Sequence, residues 1–468
     1  MTLAIEVRSA TVLRMSRRLL LLIALAACGG GAVTPAMPRS GTNATAHKAA
    51  VAAQLQPFID HEVVSSVVVG LYDAGKREVY GFGKGPSGVA PTGDTHYELG
   101  SITKVYTALL LADAIQKREL ALDTPLADLL PPGVTAPSKD GEVIRMIHLA
   151  MHASSLPRIP ASMPPTAADP YARYTEDLLY NDLNHLELPV APGRVVSYSN
   201  FGYGVLGFVL GRKLGSTYTK VLTDRVLTPL GLKNTFVVAP PGLPDRAQGT
   251  TDDLTPAPYW TWDALAGAGA LISTANDQLT LIDAELDAFA GGKLPLRAPM
   301  RLSQEPQSQE PNGPGASLGW QIDREGRYWH NGGTGGFRTF ITFDPKTRRG
   351  IVVLASTATT LVDRIAGNLY KVLEGEAPKP PVFPTVAQLA AIAGTYDFAG
   401  TKIQVIADGK RLYIEGPGEP RHRMMPLTER EFFVEAIQAP VVFEREAGKV
   451  KRMIFVLGEK TMTAQRVE

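Results

Sequence analysis

Residue 28 is the only cysteine in a chain of 468 residues. No intrachain disulfide and no cysteine-built zinc site can brace such a fold, so buried apolar surface and hydrogen bonds must hold it. The composition can supply that core: 44% of residues are hydrophobic and 20% charged, the balance of a globular chain and not of a disordered one. The 47 Lys and Arg residues meet 46 Asp and Glu, leaving a formal charge of +1. No global field draws the chain to nucleic acid or to an anionic membrane surface. With 45 glycines and 36 prolines, many turns and long surface loops are expected. A nucleic-acid binder, a fibre and a multi-pass membrane protein are all disfavoured, and the length suggests about three structural units.

The place of the cysteine also carries information. Arg14, Arg17 and Arg18 precede an apolar run from Leu19 to Ala27 that ends at Cys28. A basic segment followed by a short apolar one reads as a secretory signal, too short to span a bilayer of about 30 Å. Leu25-Ala26-Ala27-Cys28 resembles the bacterial lipobox, which implies an acylated Cys28 at the mature N-terminus and anchoring of the protein to a membrane through that lipid. Ser16-Arg17-Arg18 also resembles a twin-arginine signal, so the export route stays open. Residues 1–28 are then a lipoprotein signal peptide and 29–48 a flexible tether. The expected location is the bacterial cell envelope, facing the periplasm.

Residues 49–375 read as one mixed domain. A helix is expected from Ala49 to Glu62, a hairpin from Val63–Asp73 and Glu78–Gly83, and an amphipathic helix from Ser101 to Leu120. Mixed helix and loop follow to about Ala290, and residues 291–316 look like an exposed loop. A second hairpin is expected from Phe337–Phe343 and Gly350–Ala355, then a closing helix over Leu361–Leu373. Residues 376–386 form a proline-rich, semi-rigid linker. Short strand-like runs at Ile403–Ala407, Arg411–Glu415, Glu431–Glu435, Val441–Glu444 and Val450–Val456 make 387–468 a small all-β, barrel-like domain.

Ser101-Ile102-Thr103-Lys104 stands at the start of the second helix, just after Gly100. Three residues apart on a helix brings the two side chains to one face. A serine hydroxyl is a weak nucleophile and needs a base beside it. A lysine deprotonated by burial and by the positive helix end can serve. Two further segments add to this pair. Tyr198-Ser199-Asn200 follows a Pro192-Gly193 turn and supplies a phenol and a carboxamide. His330-Asn331-Gly332-Gly333 precedes a strand, and its small residues let a substrate lie close while freeing backbone N–H groups for an oxyanion hole.

Tyr97 to Lys104, Tyr198-Ser199-Asn200 and His330-Asn331-Gly332 together resemble the three motifs of the serine β-lactamase-like hydrolases of class C type. Ile147 to Leu156 and Ala266 to Thr274 are similar to two intervening segments of that family, and Ala393-Gly394-Thr395-Tyr396 is similar to the opening of the β-domain often appended to it. The resemblance covers about residues 50–375. It implies an α+β fold, an antiparallel sheet flanked by helices with a helical subdomain and the site between them. It also implies that Ser101 becomes the acyl-enzyme, that Lys104 and Tyr198 share the proton transfers, and that Asn200 orients Lys104. The N–H groups of Ser101 and Gly333 would form the oxyanion hole, and His330, Asn331 and Gly332 would support the substrate. No cofactor and no metal is implied.

His330 stands where the β-lactamases carry lysine, and Asn331 where threonine usually follows. A histidine at neutral pH is mostly uncharged, so a penicillin carboxylate lacks its usual partner. The resemblance is thus closer to esterases and D-amino-acid peptidases of the envelope, acting on a small-molecule or peptidyl acyl substrate. A true class C β-lactamase and a catalytically weak binding or scaffold protein are the alternatives. Arg338 is either a replacement cation or a solvated strand arginine. Tyr259, Trp260 and Trp262 either wall the cleft or pack a loop. Gly315-Ala316-Ser317-Leu318-Gly319 matches a nucleophile elbow in letters but has no strand before and helix after it. His148 and His152 have zinc-ligand spacing without the glutamate that should accompany it, and read as structural histidines.

Overall fold

The computed structural model describes residues 46–163, 168–309, 313–458 and 460–467. The signal segment, Cys28 and the tether up to residue 45 lie outside the described residues.

Ser66–Asp73 (β1) is buried on both faces at every position but its last. Such a strand must sit inside a sheet, with a neighbour on each side and helices over both faces. It does so. With Lys76–Gly83 (β2), Ser308–Gln309 (β3), Gly315–Ala316 (β4), Gln321–Ile322 (β5), Tyr328–Gly333 (β6), Arg338–Asp344 (β7) and Arg349–Ala355 (β8), it forms an eight-stranded antiparallel sheet in the order β2-β1-β8-β7-β6-β5-β4-β3. The two expected hairpins are present, and the β1–β8 pairing joins them, with Val69 opposite Val353.

Helices named in chain order are α1 (Lys48–Asp60), α2 (Thr103–Gln116), α3 (Met146–Ala150), α4 (Glu176–His185), α5 (Asn200–Lys213), α6 (Tyr218–Leu222), α7 (Ala275–Ala290), α8 (Arg297–Gln304), α9 (Leu361–Leu373) and α10 (Val386–Ile392). Alternation along β1 sorts the core into two. Val67, Val69 and Leu71 meet Leu55 and Phe58 of α1 and Ile365 and Leu369 of α9. Val68 and Tyr72 face the larger core with Leu279 and Ile282 of α7 and most of α2. Gly70 is required here, since a Cβ would lie 2.9 Å from the Leu279 side chain of α7.

Two sequence expectations need correction. The helix starting near Ser101 is not amphipathic: Thr103 to Ala114 are all buried, so α2 is an internal helix, its polar Lys104, Thr107 and Asp113 enclosed with its apolar residues. Residues 291–316 are not simply an exposed loop. α8 lies within them with Pro299, Met300, Ser303 and Gln304 buried, and Gln304 donates to the Glu285 backbone of α7. Prolines around a short helix obscured its period.

The C-terminal part is a closed barrel of eight antiparallel strands: Gly394–Phe398 (β9), Thr401–Asp408 (β10), Arg411–Glu415 (β11), His422–Pro426 (β12), Glu431–Val434 (β13), Ala439–Glu446 (β14), Lys449–Leu457 (β15) and Lys460–Arg466 (β16). Its interior is filled by residues such as Tyr396, Leu412, Met424, Phe432, Val441 and Met453. The sequence reading located five of the strands and missed β9, β12 and β16. The linker is fastened to the hydrolase part: Phe383 packs edge-on against Phe58 at 5.0 Å, and Gln54 donates to the Pro378 carbonyl. The outer barrel wall docks through Arg423, which donates to the carbonyls of Asp252 and Glu62, and through Tyr413, which donates to Asp253.

Candidate active site

Ser101 sits in a single 3-10 turn, Gly100–Ile102, that leads into α2. Gly100 has φ +55°, and a Cβ there would lie 2.6 Å from the Gly333 nitrogen. Only glycine permits both the left-handed backbone and this approach to β6. Gly332 is equally constrained, because its Cβ would stand 1.9 Å from the Leu99 carbonyl. The two glycines thus bring the Ser101 turn onto the edge of the sheet. Thr334 N–H donates to Phe337, and Gly333 pairs opposite Arg338. Bonded and non-bonded pairs alternate along an antiparallel ladder, so the Gly333 N–H points away from β7. On that side β5 reaches only as far as Trp329. The Gly333 N–H is therefore available beside Ser101.

Lys104 is fully buried. Its Nζ lies 3.0 Å from Ser101 Oγ, 2.8 Å from Asn200 Oδ1 and 2.7 Å from the Ala268 carbonyl. Burial pushes its pKa well below the ordinary lysine value, and the Arg158 guanidinium pushes the same way. A neutral amine has two N–H groups and one lone pair. Asn200 and Ala268 take the two N–H groups, and the lone pair is left for the Ser101 hydroxyl proton.

The second segment is held by its backbone. Ser199 caps α5, its Oγ accepting from Gly202 N and donating to the Pro157 carbonyl. Ser199 N–H donates to His152 Nδ1 at 3.1 Å. Asn200 therefore begins α5 with its carboxamide between Lys104 and Tyr171, whose hydroxyl accepts from Nδ2 at 2.9 Å. The Lys104 amine stands 4.9 Å from the centroid of the Tyr198 ring. Burial raises the Tyr198 phenol to about 12, with the Ser101 hydroxyl pulling it partly back. It stays protonated and able to donate.

Along β6 the side chains alternate. His330 is buried on the side of Lys104, and burial followed by the Lys104 charge lowers its pKa to about 3. Its Nδ1 lies 2.6 Å from the Asn331 carbonyl, which can only accept, so Nδ1 carries the proton and the ring is neutral. Asn331 faces the other way. Its Nδ2 donates to Asp363 of α9 at 2.9 Å, so it supports the sheet edge from behind and does not join His330 beside Lys104. Arg338 is tied to the same Asp363 at 2.7 Å, which makes it a paired cation.

The aromatic cluster lines a wall. Trp262 stacks on Tyr171 with centroids 3.9 Å apart, and Trp260 lies 5.3 Å from the same ring. A Cβ on Gly335 would meet the Trp260 nitrogen at 2.8 Å, so this wall abuts the chain just beyond Gly333. Ser317 sits in a turn between β4 and β5, its N–H donating to Trp320. Gly319 of the same pentapeptide serves packing, since a Cβ would lie 2.8 Å from Ala108 of α2. Ser317, His152 and His330 border a small cavity of about 60 Å³. His148 accepts from the Arg145 N–H, and His152 from Ser199. Sequence reasoning missed Tyr171, the Ala268 carbonyl and Arg158. Ala268 falls within the Ala266 to Thr274 segment, though a backbone carbonyl leaves no residue signal, and Tyr171 and Arg158 belong to no motif.

The beta-lactamase family model matches residues 51–376. D-alanyl-D-alanine-carboxypeptidase/endopeptidase AmpH of Escherichia coli (strain K12) is 27% identical over 351 residues, covering 70% of this chain and 90% of that protein. Penicillin-binding protein 4 of Amycolatopsis lactamdurans is 29% identical over 340 residues, covering 67% of this chain and 87% of that one. Among solved structures, a class C beta lactamase from Rhodobacter sphaeroides superposes with a TM-score of 0.59 at 25% identity, covering 70% of this chain and 99% of that chain. A beta-lactamase from Sulfitobacter sp. EE-36 gives 0.61 at 25% identity, covering 72% and 100%. The family match ends just past α9, before the barrel begins. The chain belongs to the beta-lactamase family and is a serine hydrolase of the β-lactamase-like kind.

Proposed function

We propose that this hydrolase forms an acyl-enzyme on Ser101 and acts as an esterase or D-amino-acid peptidase, and not chiefly as a β-lactamase. The observation that carries the acyl-enzyme is the approach of the buried Lys104 amine to Ser101 Oγ at 3.0 Å. As Oγ attacks the acyl carbonyl carbon, its proton passes to the Lys104 lone pair. The carbonyl oxygen gains charge and is met by the N–H groups of Ser101 and Gly333, a donor pair each member of which is typically worth about 10²–10³ in rate. The bond to the leaving oxygen or nitrogen then breaks. Tyr198 gives that atom a proton and recovers one from the Lys104 ammonium. Water attacks the acyl-enzyme by the same route in reverse and frees Ser101.

The preference for esters or peptides is supported by the neutral His330, held with its pKa near 3 where the β-lactamases present a cation. The name of the AmpH relative, a D-alanyl-D-alanine carboxypeptidase and endopeptidase, agrees with the peptidase arm. The test is mass spectrometry of the chain with a chromogenic short-chain ester and, in parallel, a chromogenic cephalosporin. Ester turnover with an adduct on Ser101, lost in Ser101→Ala, is expected. Rapid cephalosporin opening would overturn the substrate preference, and an adduct on Ser317 would overturn the nucleophile.

We further propose that the protein is exported and held in the bacterial envelope by a lipid on Cys28, on the strength of the basic, apolar and Leu-Ala-Ala-Cys order. Cys28→Ser should move it from the membrane fraction to the soluble one. Retention in membranes would remove the lipid anchor from the account.

A further inference from the structure

Two guanidinium groups act on the Tyr198 phenol, those of Arg158 and Arg338. They are not equivalent. Arg338 is neutralised by Asp363. Arg158 is exposed, and among the described residues its guanidinium has no ion-pair or hydrogen-bond partner. Its backbone is fixed, because its carbonyl accepts from the N–H groups of Asn200 and Phe201 at the start of α5. Its side chain lies over the Tyr198 ring with the guanidinium carbon 5.1 Å from the centroid, a cation–π placement that leaves the guanidinium N–H fork free. The same charge is felt by Lys104, His152 and Tyr171. It therefore stands at the mouth of the site with its field directed onto the nucleophile's base.

We propose that Arg158 is the anion-recognition group of this hydrolase, and that its preferred substrates are esters or peptides carrying a carboxylate flanking the scissile bond. The proposal rests on the acyl-enzyme reading of Ser101 given above. It accounts for a pocket in which the third-motif residue is neutral and the strand arginine is already paired: the substrate's negative charge has one unpartnered guanidinium to meet. An exposed arginine with no carboxylate of its own can take a substrate carboxylate in a two-pronged bond. Pairing has a second consequence. Unpaired, Arg158 holds down the proton affinity of Lys104. A bound carboxylate cancels that push, so Lys104 becomes a better base when an anionic substrate is in place.

The experiment measures acylation of Ser101, by mass and by nitrophenol or phenol release, with two matched pairs of esters. One pair is 4-nitrophenyl hydrogen succinate and 4-nitrophenyl butyrate, which differ by a carboxylate on the acyl side. The other is acetate esters of 3-hydroxybenzoate and phenol, which differ by one on the leaving side. The readout is the ratio of kcat/KM, charged over neutral, within each pair. Arg158→Gln should lower that ratio by about tenfold or more in at least one pair, as expected for loss of a hydrogen-bonded ion pair. Arg158→Lys should keep part of it, and the pair affected tells which side carries the charge. In the wild type the same ratio should fall as salt is raised, because an exposed pair is screened, and this arm holds even if a variant folds poorly. The limb in kcat assigned to Lys104 should also lie at higher pH for the charged ester than for the neutral one. Ratios unchanged in Arg158→Gln and insensitive to salt, with Ser101 still acylated, would overturn the Arg158 proposal alone. No adduct on Ser101 from any ester would overturn the acyl-enzyme reading together with it.

Discussion

Lys104 Nζ has three hydrogen-bond partners, and none of them is a carboxylate. A cation buried without a counter-charge is strongly disfavoured, and this is why its pKa falls well below 10.5. The sign for catalysis follows directly. The neutral amine is the active form, so kcat/KM rises with pH through the lowered Lys104 value and levels off below the ordinary lysine range. His330, near 3, is neutral throughout the working range, and Tyr198, near 12, stays protonated. We expect wild type and His330→Gln to share one acid limb in the kcat/KM profile of a chromogenic ester. If that limb vanished in His330→Gln, the histidine and not Lys104 would be the titrating base. At this scale the sequence was informative where chemistry is written in local spacing, as in Ser101 and Lys104 one helical turn apart. It was silent where orientation decides. The alternation that turns Asn331 onto Asp363 depends on strand register, and the isolation of Arg158 depends on which carboxylates the fold leaves out of its reach.

Among the elements, α7 and α8 show what a local pattern misses. Their contact buries Glu285 completely, with Gln304 donating to its carboxyl. Burial raises Glu285 from 4.5 to about 8. An acid whose folded value is raised keeps its proton when the unfolded chain has released it, so stability falls as pH rises between those two values. Urea midpoints measured at about pH 5 and about pH 8 should show the wild type weaker at the higher value. Glu285→Gln should lose that slope, because the amide cannot ionise. A slope of equal size in the variant would place the pH dependence elsewhere. Helix α8 went unread because its buried positions include proline, serine and glutamine, which carry no apolar period. The hairpins were readable because Val67 to Tyr72 and Ile351 to Leu354 are short, unbroken apolar runs rich in β-branched residues and bounded by turns. β12 was missed, as it opens on the polar His422 and Arg423, and Arg423 is buried against the carbonyls of Asp252 and Glu62 and not in water.

At the scale of the whole molecule, the nucleophile turn, the sheet edge and the aromatic wall come from segments far apart in sequence. The pairing of β1 with β8 and the closure of the barrel are long-range contacts that no local pattern encodes. The barrel is also joined to the site. Arg423, 3% exposed, donates to Asp252 and Glu62, and Tyr413 to Asp253. The neighbouring Thr250 N–H is shared between the carbonyls of Gly336 and Ser356, so the segment gripped by the barrel also lies against the glycines that follow the oxyanion edge. From there the chain runs into Tyr259, Trp260 and Trp262. Arg423→Met keeps the volume but leaves two carbonyls without their donors, a loss of about 2–4 kcal/mol in unfolding free energy. Hydrogen exchange should quicken over residues 250–262 while β1 and β8 stay protected, and Ser101 acylation should slow with it. Faster exchange confined to the barrel strands, with acylation unchanged, would mean that the barrel is carried by the hydrolase without steadying its site.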